Sequence, residues 1–157
     1  MYYQVKLQWL EPKEGGDEME KKRKSFLVEA VSVTDAEASM VNWIPSNYQD
    51  ALVKGIDESK LIDIKQDSES EDWWQVKLAD ENEKGKLVPF YIAINGGNHF
   101  DVLKRVDKLY SLSQFLEIKK LTIIIDDDLV KIKKDTGTII SKISINESKE
   151  FEESAPF

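Results

Sequence analysis

A hexapeptide near the start of the chain recurs, with conservative changes, in its middle. Residues 2–7 read YYQVKL and residues 73–78 read WWQVKL. In both copies, side chains for a buried face alternate with side chains for an exposed face, which is the period of two of a half-buried strand. A chain that repeats a strand in this way favours an architecture built from two similar units.

The chain after the first copy predicts a hairpin and a capped helix. A polar loop over residues 11–24 precedes a second strand over residues 25–33 (SFLVEAVSV). Thr34 and Glu37 have the spacing of a capping box, in which each side chain satisfies a backbone donor at the helix start. We expect the helix to end before Pro45, because the residue that precedes a proline avoids the helical conformation.

The chain after the second copy predicts the same order of elements. The segment DENEKGK at residues 80–86 is typical of a turn, and LVPFYIAI at residues 87–94 is typical of a strand. A helix is expected over residues 99–109, with Asn98 or Asn95 as its cap and apolar side chains at helical spacing.

The strand that completes each unit is predicted from shorter patterns. Residues 61–64 (LIDI) supply it in the first half, and either residues 121–125 (LTIII) or residues 138–145 (TIISKISI) supply it in the second. We favour residues 138–145, which makes residues 112–135 an insertion with its own hairpin turn at residues 126–128.

The predicted fold class is α+β, with duplicated β-β-α-β units packed about a pseudo-twofold axis. The repeats cover about residues 1–66 and 73–146 and form one domain over residues 1–146, because each repeat is too small to bury its own sheet face. Residues 147–157 form an acidic C-terminal tail. An OB barrel is the less favoured alternative.

The composition excludes several classes of chemistry. The chain has no cysteine and a single histidine, His99, which removes thiolate zinc sites, cysteine nucleophiles and paired-histidine sites. His99 is interpreted as a capping or surface residue, and the aspartates of residues 126–128 as an acidic turn. Without a nucleotide-binding or hydrolase motif, we expect no enzyme activity, no cofactor and no metal. Without a signal peptide or a membrane helix, we expect a cytoplasmic protein.

A local basic surface is compatible with the net charge of −8, which argues only against duplex binding by bulk charge. In each copy of the hexapeptide an aromatic ring, an amide and a lysine share one strand face, a combination that stacks bases and contacts phosphates on single strands. A basic run in the first hairpin loop adds positive charge. The candidate residues for single-stranded DNA binding are Tyr2, Tyr3, Lys6, Lys21, Lys22, Arg23, Lys24, Trp73, Trp74 and Lys77. The alternative is an ordinary sheet surface with half-buried rings.

The chain ends in EFEESAPF, an acidic run that holds an internal phenylalanine and finishes in proline and phenylalanine. This segment resembles the acidic C-terminal tip of bacterial single-stranded DNA-binding proteins, with glutamates where aspartates are usual and Ser154 within the run. In that family the tip docks replication, recombination and repair proteins, which bury the phenyl ring and meet the carboxylates with basic residues. The resemblance implies that the partner-binding residues are Phe151, Glu152, Glu153, Pro156 and Phe157.

Three segments of the body have a different resemblance. They are the N-terminal strand, residues 26–38 (FLVEAVSVTDAEA) and the WWQVKL strand. Together they are similar to a family of uncharacterised small proteins of gut bacteria and their phages, which implies a phage origin and argues against the OB fold.

These patterns predict a single-stranded DNA-binding protein that coats the strand and recruits replication or repair proteins through its tail. Two other functions stay open. One is an interaction protein without DNA affinity that sequesters host proteins recognising such tips, and the other is a small-nucleotide binder at the interface between the repeats. A homodimer is also open, since an exposed sheet edge would suit one.

Overall fold

The first half of the chain forms a three-stranded antiparallel sheet with one helix. The computed structural model describes residues 1–66 and 68–134. The elements of the first half are β1 (Tyr2–Pro12), β2 (Met19–Glu29), α1 (Val33–Trp43) and β3 (Gln49–Glu58). β1 is the central strand and pairs antiparallel with β2 on one side and β3 on the other.

One face of this first sheet packs against α1. Val5 and Leu7 of β1 are buried there with Phe26 of β2 and Met40 of α1. Because successive side chains of a strand point to opposite faces, the polar residues between them lie on the face away from the helix.

The second half forms a five-stranded mixed sheet with one helix. Its elements are β4 (Leu61–Gln66), β5 (Trp73–Glu81), β6 (Leu87–Asn95), α2 (His99–Leu109), β7 (Gln114–Lys120) and β8 (Lys133–Lys134). The strand order is β7-β5-β6-β4-β8, with β5 antiparallel to both its neighbours and β4 parallel to both of its own. Val76 and Ile92 are buried on one face of this sheet with Val102 and Val106 of α2.

A third apolar cluster joins the two sheets on the faces that the helices leave free. Leu27 of β2, Leu61 of β4, Trp73 of β5 and Val130 are buried in it. The segment after β7 crosses to the first sheet, where Ile124 forms a parallel bridge with β2 and its carbonyl oxygen accepts from the Leu27 N–H at 2.9 Å. The two sheets are therefore held together by apolar packing and by backbone hydrogen bonds.

Both helices start at a side-chain cap. The Ser32 hydroxyl accepts a hydrogen bond from the Asp35 N–H at 3.1 Å, and the Asn98 side-chain oxygen accepts from the Asp101 N–H at 3.0 Å. Asn98 is one of the two caps that the sequence predicted for α2. The predicted capping box at Thr34 is wrong, because α1 begins two residues earlier and Ser32 takes the cap position.

Several predicted strand boundaries also need correction. β2 begins at Met19, so that the basic run over residues 21–24 lies in a strand and not in the hairpin loop. The sequence missed β3, while the predicted strand at residues 61–64 is real but belongs to the second sheet. The predicted insertion contains β7, and the alternative strand at residues 121–125 forms only the bridge at Ile124.

The fold is α+β, as predicted at this coarse level, with two sheets and two helices among the described residues. The strands of that part of the chain form open sheets and no closed barrel, which corrects the OB alternative. The favoured strand at residues 138–145 lies outside the described residues. Neither α1 nor α2 has the length and apolar composition that a bilayer-spanning helix requires.

Candidate nucleic-acid interface

A groove lined by positive charge lies beside the first sheet. Its volume is about 490 Å³. The residues that line this cationic groove are Lys6, Leu7, Arg23, Lys24, Ser25, Lys54 and Thr122. Four of them are cationic and none is acidic, so the groove is suited to an anionic ligand.

Strand pairing brings these cations together. Lys6 of β1 lies opposite Ser25 of β2 and Gly55 of β3, so its neighbours across the sheet are small. The pairing of β1 with β3 is irregular at Lys6 and Leu7, and Lys54 is the residue that this bulge leaves without a partner on β1.

The cations of the groove are exposed and available to a ligand. Among the described residues, Lys6, Lys24 and Lys54 form no ion pair. Arg23 Nε donates to Gln8 Oε1 at 3.1 Å, which holds the guanidinium along the sheet without neutralising its charge.

The groove borders a second hollow, the inter-sheet cleft, whose volume is about 380 Å³. The residues that line the inter-sheet cleft are Gln4, Glu58, Ser59, Lys60, Leu61, Gln75, Lys119, Lys120, Leu121, Thr122 and Ile123. Thr122 lines both hollows, so they adjoin each other. The cleft contributes three further cations and one carboxylate. Lys120 forms an ion pair with Asp72 at 3.5 Å, and both side chains are largely exposed.

The repeated hexapeptides contribute their polar residues to these hollows. Gln4 and Gln75, which hold the same place in the two copies, both line the inter-sheet cleft. Lys6 lines the cationic groove, whereas Lys77 lies over the ring of Tyr91, with Nζ at 5.7 Å from its centroid. Lys60 lies over the same ring at 5.5 Å, so two ammonium groups lie close to one aromatic ring.

The four aromatic residues of the hexapeptides lie in the apolar clusters. Tyr3 is 5% exposed and Trp73 is 7% exposed, while Tyr2 and Trp74 are half-buried. The Trp74 indole N–H donates to the Gly96 carbonyl at 2.9 Å. The ring that shares a strand face with the amide and the lysine is Tyr2 in the first copy and Trp73 in the second. Both rings pack in the apolar cluster shared by the two sheets and do not form an open stacking surface.

Burial also alters the acidity of Tyr2. Desolvation raises the pKa of its hydroxyl above the ordinary value, and the negative charges of Glu29 and Asp63 raise it further. The Tyr2 hydroxyl therefore loses its proton at a higher pH than an exposed tyrosine hydroxyl would.

The basic run of β2 divides between the groove and the open surface. Arg23 and Lys24 line the groove, whereas Lys21 is exposed and Lys22 forms an ion pair with Glu20 at 3.2 Å. Sequence reasoning missed Lys54 and Lys60. The apolar alternation of Ala51 and Val53 was the available signal for the strand that positions Lys54.

The candidates for other chemistry lie away from these hollows. His99 is exposed at the start of α2, with its ring centroid 4.3 Å from that of Phe100 and 6.3 Å from that of Trp74. Asp126 accepts backbone hydrogen bonds from Asp128 and Leu129 and so forms a turn. Within residues 1–66 and 68–134, no group of three potential metal-ligating side chains is found.

A comparison with family models matches residues 1–134 to the family described as "Domain of unknown function (DUF4494)". The match extends from the first residue through both sheets and both helices to the end of β8. The chain belongs to this family. DUF4494 has no assigned function, which agrees with the predicted resemblance of the body to an uncharacterised family.

No curated protein and no solved structure significantly matches this DUF4494 chain. The tail residues Phe151, Glu152, Glu153, Pro156 and Phe157 lie outside both the family match and the described residues. Their role in partner binding stays a prediction.

Proposed function

We propose that the protein binds single-stranded DNA along the cationic groove and presents its C-terminal tail to replication or repair proteins. The observation that carries the proposal is the groove itself, a hollow of about 490 Å³ whose charged lining residues are all cations. A nucleic-acid strand carries a negative charge on each nucleotide, and neutralisation by Lys and Arg releases counterions, which favours binding.

The adjoining inter-sheet cleft supports a strand rather than an isolated anion. A chain of phosphates that leaves the groove at Thr122 meets Lys119 and Lys120 in the cleft. The amides of Gln4 and Gln75 supply donors and acceptors that suit exposed base edges. A single strand offers the Watson–Crick edges of its bases, whereas a duplex hides these edges between paired bases.

In this proposal the phosphate contacts carry most of the affinity. Trp73 and Tyr3 are buried, so their rings pack in the hydrophobic core and are not available to stack on bases. The main contribution to DNA affinity then comes from Lys6, Arg23 and Lys54. We expect strong salt dependence and little sequence preference, which are the properties of binding through the phosphate backbone.

The arrangement of the two halves supports the duplication that the sequence predicts. β1 lies between β2 and β3, and β5 lies between β6 and β7, with a helix after the hairpin in each case. We propose that these are two copies of one β-β-α-β unit related by a pseudo-twofold axis. The third strands of the units are then β3 and β7, not the strands that the sequence favoured.

The tail supplies the second half of the proposed function. Its acidic residues, Pro156 and Phe157 provide charge, an apolar anchor and a terminal carboxylate in one short peptide. Such a peptide fits a partner pocket with a basic rim. A phage protein in a bacterial cytoplasm would use it to bring host repair enzymes to the coated strand.

The DNA-binding test compares two double variants with the same change in charge. Fluorescence anisotropy with a labelled oligo-dT is measured at low and moderate salt. We expect Lys6→Glu with Lys54→Glu to weaken binding about tenfold or more, because two phosphate contacts become repulsions. The control, Lys13→Glu with Lys84→Glu, changes exposed lysines in the hairpin turns and should bind nearly as the natural protein does. Equal loss in both variants, or no binding by the natural protein, would refute the assignment of the groove.

The tail is tested separately by capture from a nuclease-treated bacterial lysate. We expect the full chain, but not Phe157→Ala, to retain single-stranded DNA repair proteins. Capture without any DNA binding would instead support the decoy function.

A small-nucleotide site is a second candidate, because the groove volume lies within the range of small-molecule pockets. In that case nucleotides would raise the melting temperature in a thermal-shift assay, while oligo-dT would compete for the same site.

A further inference from the structure

β7 is an outer edge of the second sheet within the described residues, where it pairs with β5 alone. An edge strand has a row of backbone N–H and C=O groups open to another strand. β7 contains neither proline nor glycine, and its Phe115 and Leu116 are 43% and 41% exposed. The described chain ends at β8, on the opposite edge of the same sheet, so that this part of the chain leaves β7 uncovered.

The charges of β7 are self-complementary in one register. We propose that two copies of the chain associate through antiparallel pairing of β7 with β7, about a twofold axis at Ile118. This register places Glu117 opposite Lys119 of the second copy, and by symmetry it forms two such pairs. Opposite charges directly across two strands stabilise their pairing, whereas an axis at Glu117 would place two carboxylates together.

The backbone of β7 is regular where the proposed contact lies. Residues 117–120 pair with residues 74–77 of β5 without a register shift, and the irregularity of this strand falls before Glu117. In the first sheet, the edge strand β3 has two irregularities in its pairing with β1, and the edge strand β2 is bridged by Ile124 at Phe26. Bulges blunt an edge against further pairing, so β7 is the better surface for a second copy.

The proposed contact would join the two five-stranded sheets into one. Glu117 lies opposite Lys77 and Lys119 lies opposite Gln75, so the charge pairs would form on the face of the inter-sheet cleft. Ile118 lies opposite Val76, on the face that packs against α2, and would meet Ile118 of the second copy there. Lys119 also lines the inter-sheet cleft, so this association is tested in the absence of DNA.

The experiment is sedimentation equilibrium of the full chain without DNA. An edge contact through one short strand buries little surface, so we expect a weak dimer that becomes populated only as the concentration rises. Glu117→Lys and Lys119→Glu should each weaken the dimer about tenfold or more, since each turns two attractions into two repulsions.

Mixing the two variants gives the decisive result. In a mixed dimer of Glu117→Lys with Lys119→Glu, both cross-strand pairs again join opposite charges, so an equimolar mixture should dimerise more strongly than either variant alone. The matched control is Glu83→Lys, an identical charge change in the exposed turn between β5 and β6, which should leave the dimer unaltered.

Circular dichroism establishes that each variant is folded before its association is measured. A natural protein that stays monomeric at every concentration overturns the proposal. A dimer that survives both single variants, or a mixture no stronger than its components, overturns the register and with it the assignment of β7.

Discussion

At Gly96, between β6 and α2, the backbone passes too close to the helix to carry a side chain. A Cβ atom there would lie 2.5 Å from Val102 Cγ2 and 2.7 Å from Arg105 Nη2. The Gly96 carbonyl also accepts the Trp74 indole hydrogen bond. The close contact between β6 and α2 therefore depends on the absence of a side chain at this one residue.

We predict that Gly96→Ala lowers the free energy of unfolding by about 1–3 kcal/mol, the range for overpacked sites, because Val102 or the helix must shift. Urea denaturation measures the change. Gly97→Ala is the control, because a Cβ atom there meets nothing closer than Asp101 Oδ2 at 4.0 Å. Equal effects of the two substitutions would contradict the steric explanation.

Tyr110, the C-cap residue that follows α2, gives a prediction at alkaline pH. Burial raises the pKa of its hydroxyl from 10.0 to about 12, with further contributions from the charge of Asp63 and a hydrogen bond to it. Because the raised pKa belongs to the folded state, the stabilisation is complete below pH 10 and is lost as the pH rises towards about 12.

The ultraviolet absorbance of phenolate, followed during an alkaline titration, should therefore show a late step near pH 12 that Tyr110→Phe removes. The stability of the natural protein should also fall more steeply in that window than the stability of the variant. A late step that persists in Tyr110→Phe would assign it to another tyrosine.

At the scale of elements, the sequence at the start of α1 allows two helix caps, and the structure uses one of them. Thr34 and Glu37 have the correct spacing for a capping box, and so do Ser32 and Asp35. In the structure the Asp35 carboxylate accepts from the Val31 N–H at 3.0 Å, while Ser32 caps the Asp35 N–H. Both boxes satisfy the local rule, and the end of β2 at Glu29 leaves room for the earlier one.

We predict that Ser32→Ala costs about 0.5–2 kcal/mol of stability, because it removes the acceptor for an orphaned backbone donor. Thr34→Ala should have an effect close to zero, since Thr34 is exposed within the first turn. Thermal and urea denaturation of the two variants give the comparison. A larger loss of stability in Thr34→Ala than in Ser32→Ala would indicate that Thr34 caps the helix, as the sequence predicted.

β3 and β7 illustrate why some strands escape prediction. β3 has apolar residues at Ala51 and Val53, but Lys54 and Gly55 break the alternation. In β7, Phe115 and Leu116 are consecutive and both exposed. Each becomes a strand because it completes the hydrogen bonds of an inner strand, β1 or β5. Local sequence does not reveal a pairing partner that is distant along the chain.

At the scale of the whole molecule, the apolar cluster shared by the two sheets leads us to predict that they unfold cooperatively. Leu27 of the first sheet is fully buried beside Trp73 and Ala93 of the second. We predict that Leu27→Ala lowers the free energy of unfolding by about 2–5 kcal/mol, the range for a buried Leu-to-Ala change.

Circular dichroism and tryptophan fluorescence should report one coincident transition in the natural protein. Leu52→Ala, at an exposed position of β3, is the control and should cost less than about 1 kcal/mol. Two separate transitions in the natural protein would mean that the sheets unfold independently and that the shared cluster contributes little.

The sequence by itself determined the α+β class, the strands β1 and β5, both helices and the Asn98 cap, because these depend on short-range periodicity and capping chemistry. It also identified Lys6 and the basic run of β2 as candidates for DNA contact. Only the tertiary structure decided that Trp73 is buried, that Arg23 and Lys24 lie in a strand, and that Lys54 joins them in the groove. The physical reason is that local sequence does not show which face of a strand will be covered. Packing between segments that are distant along the chain decides which face is exposed to water.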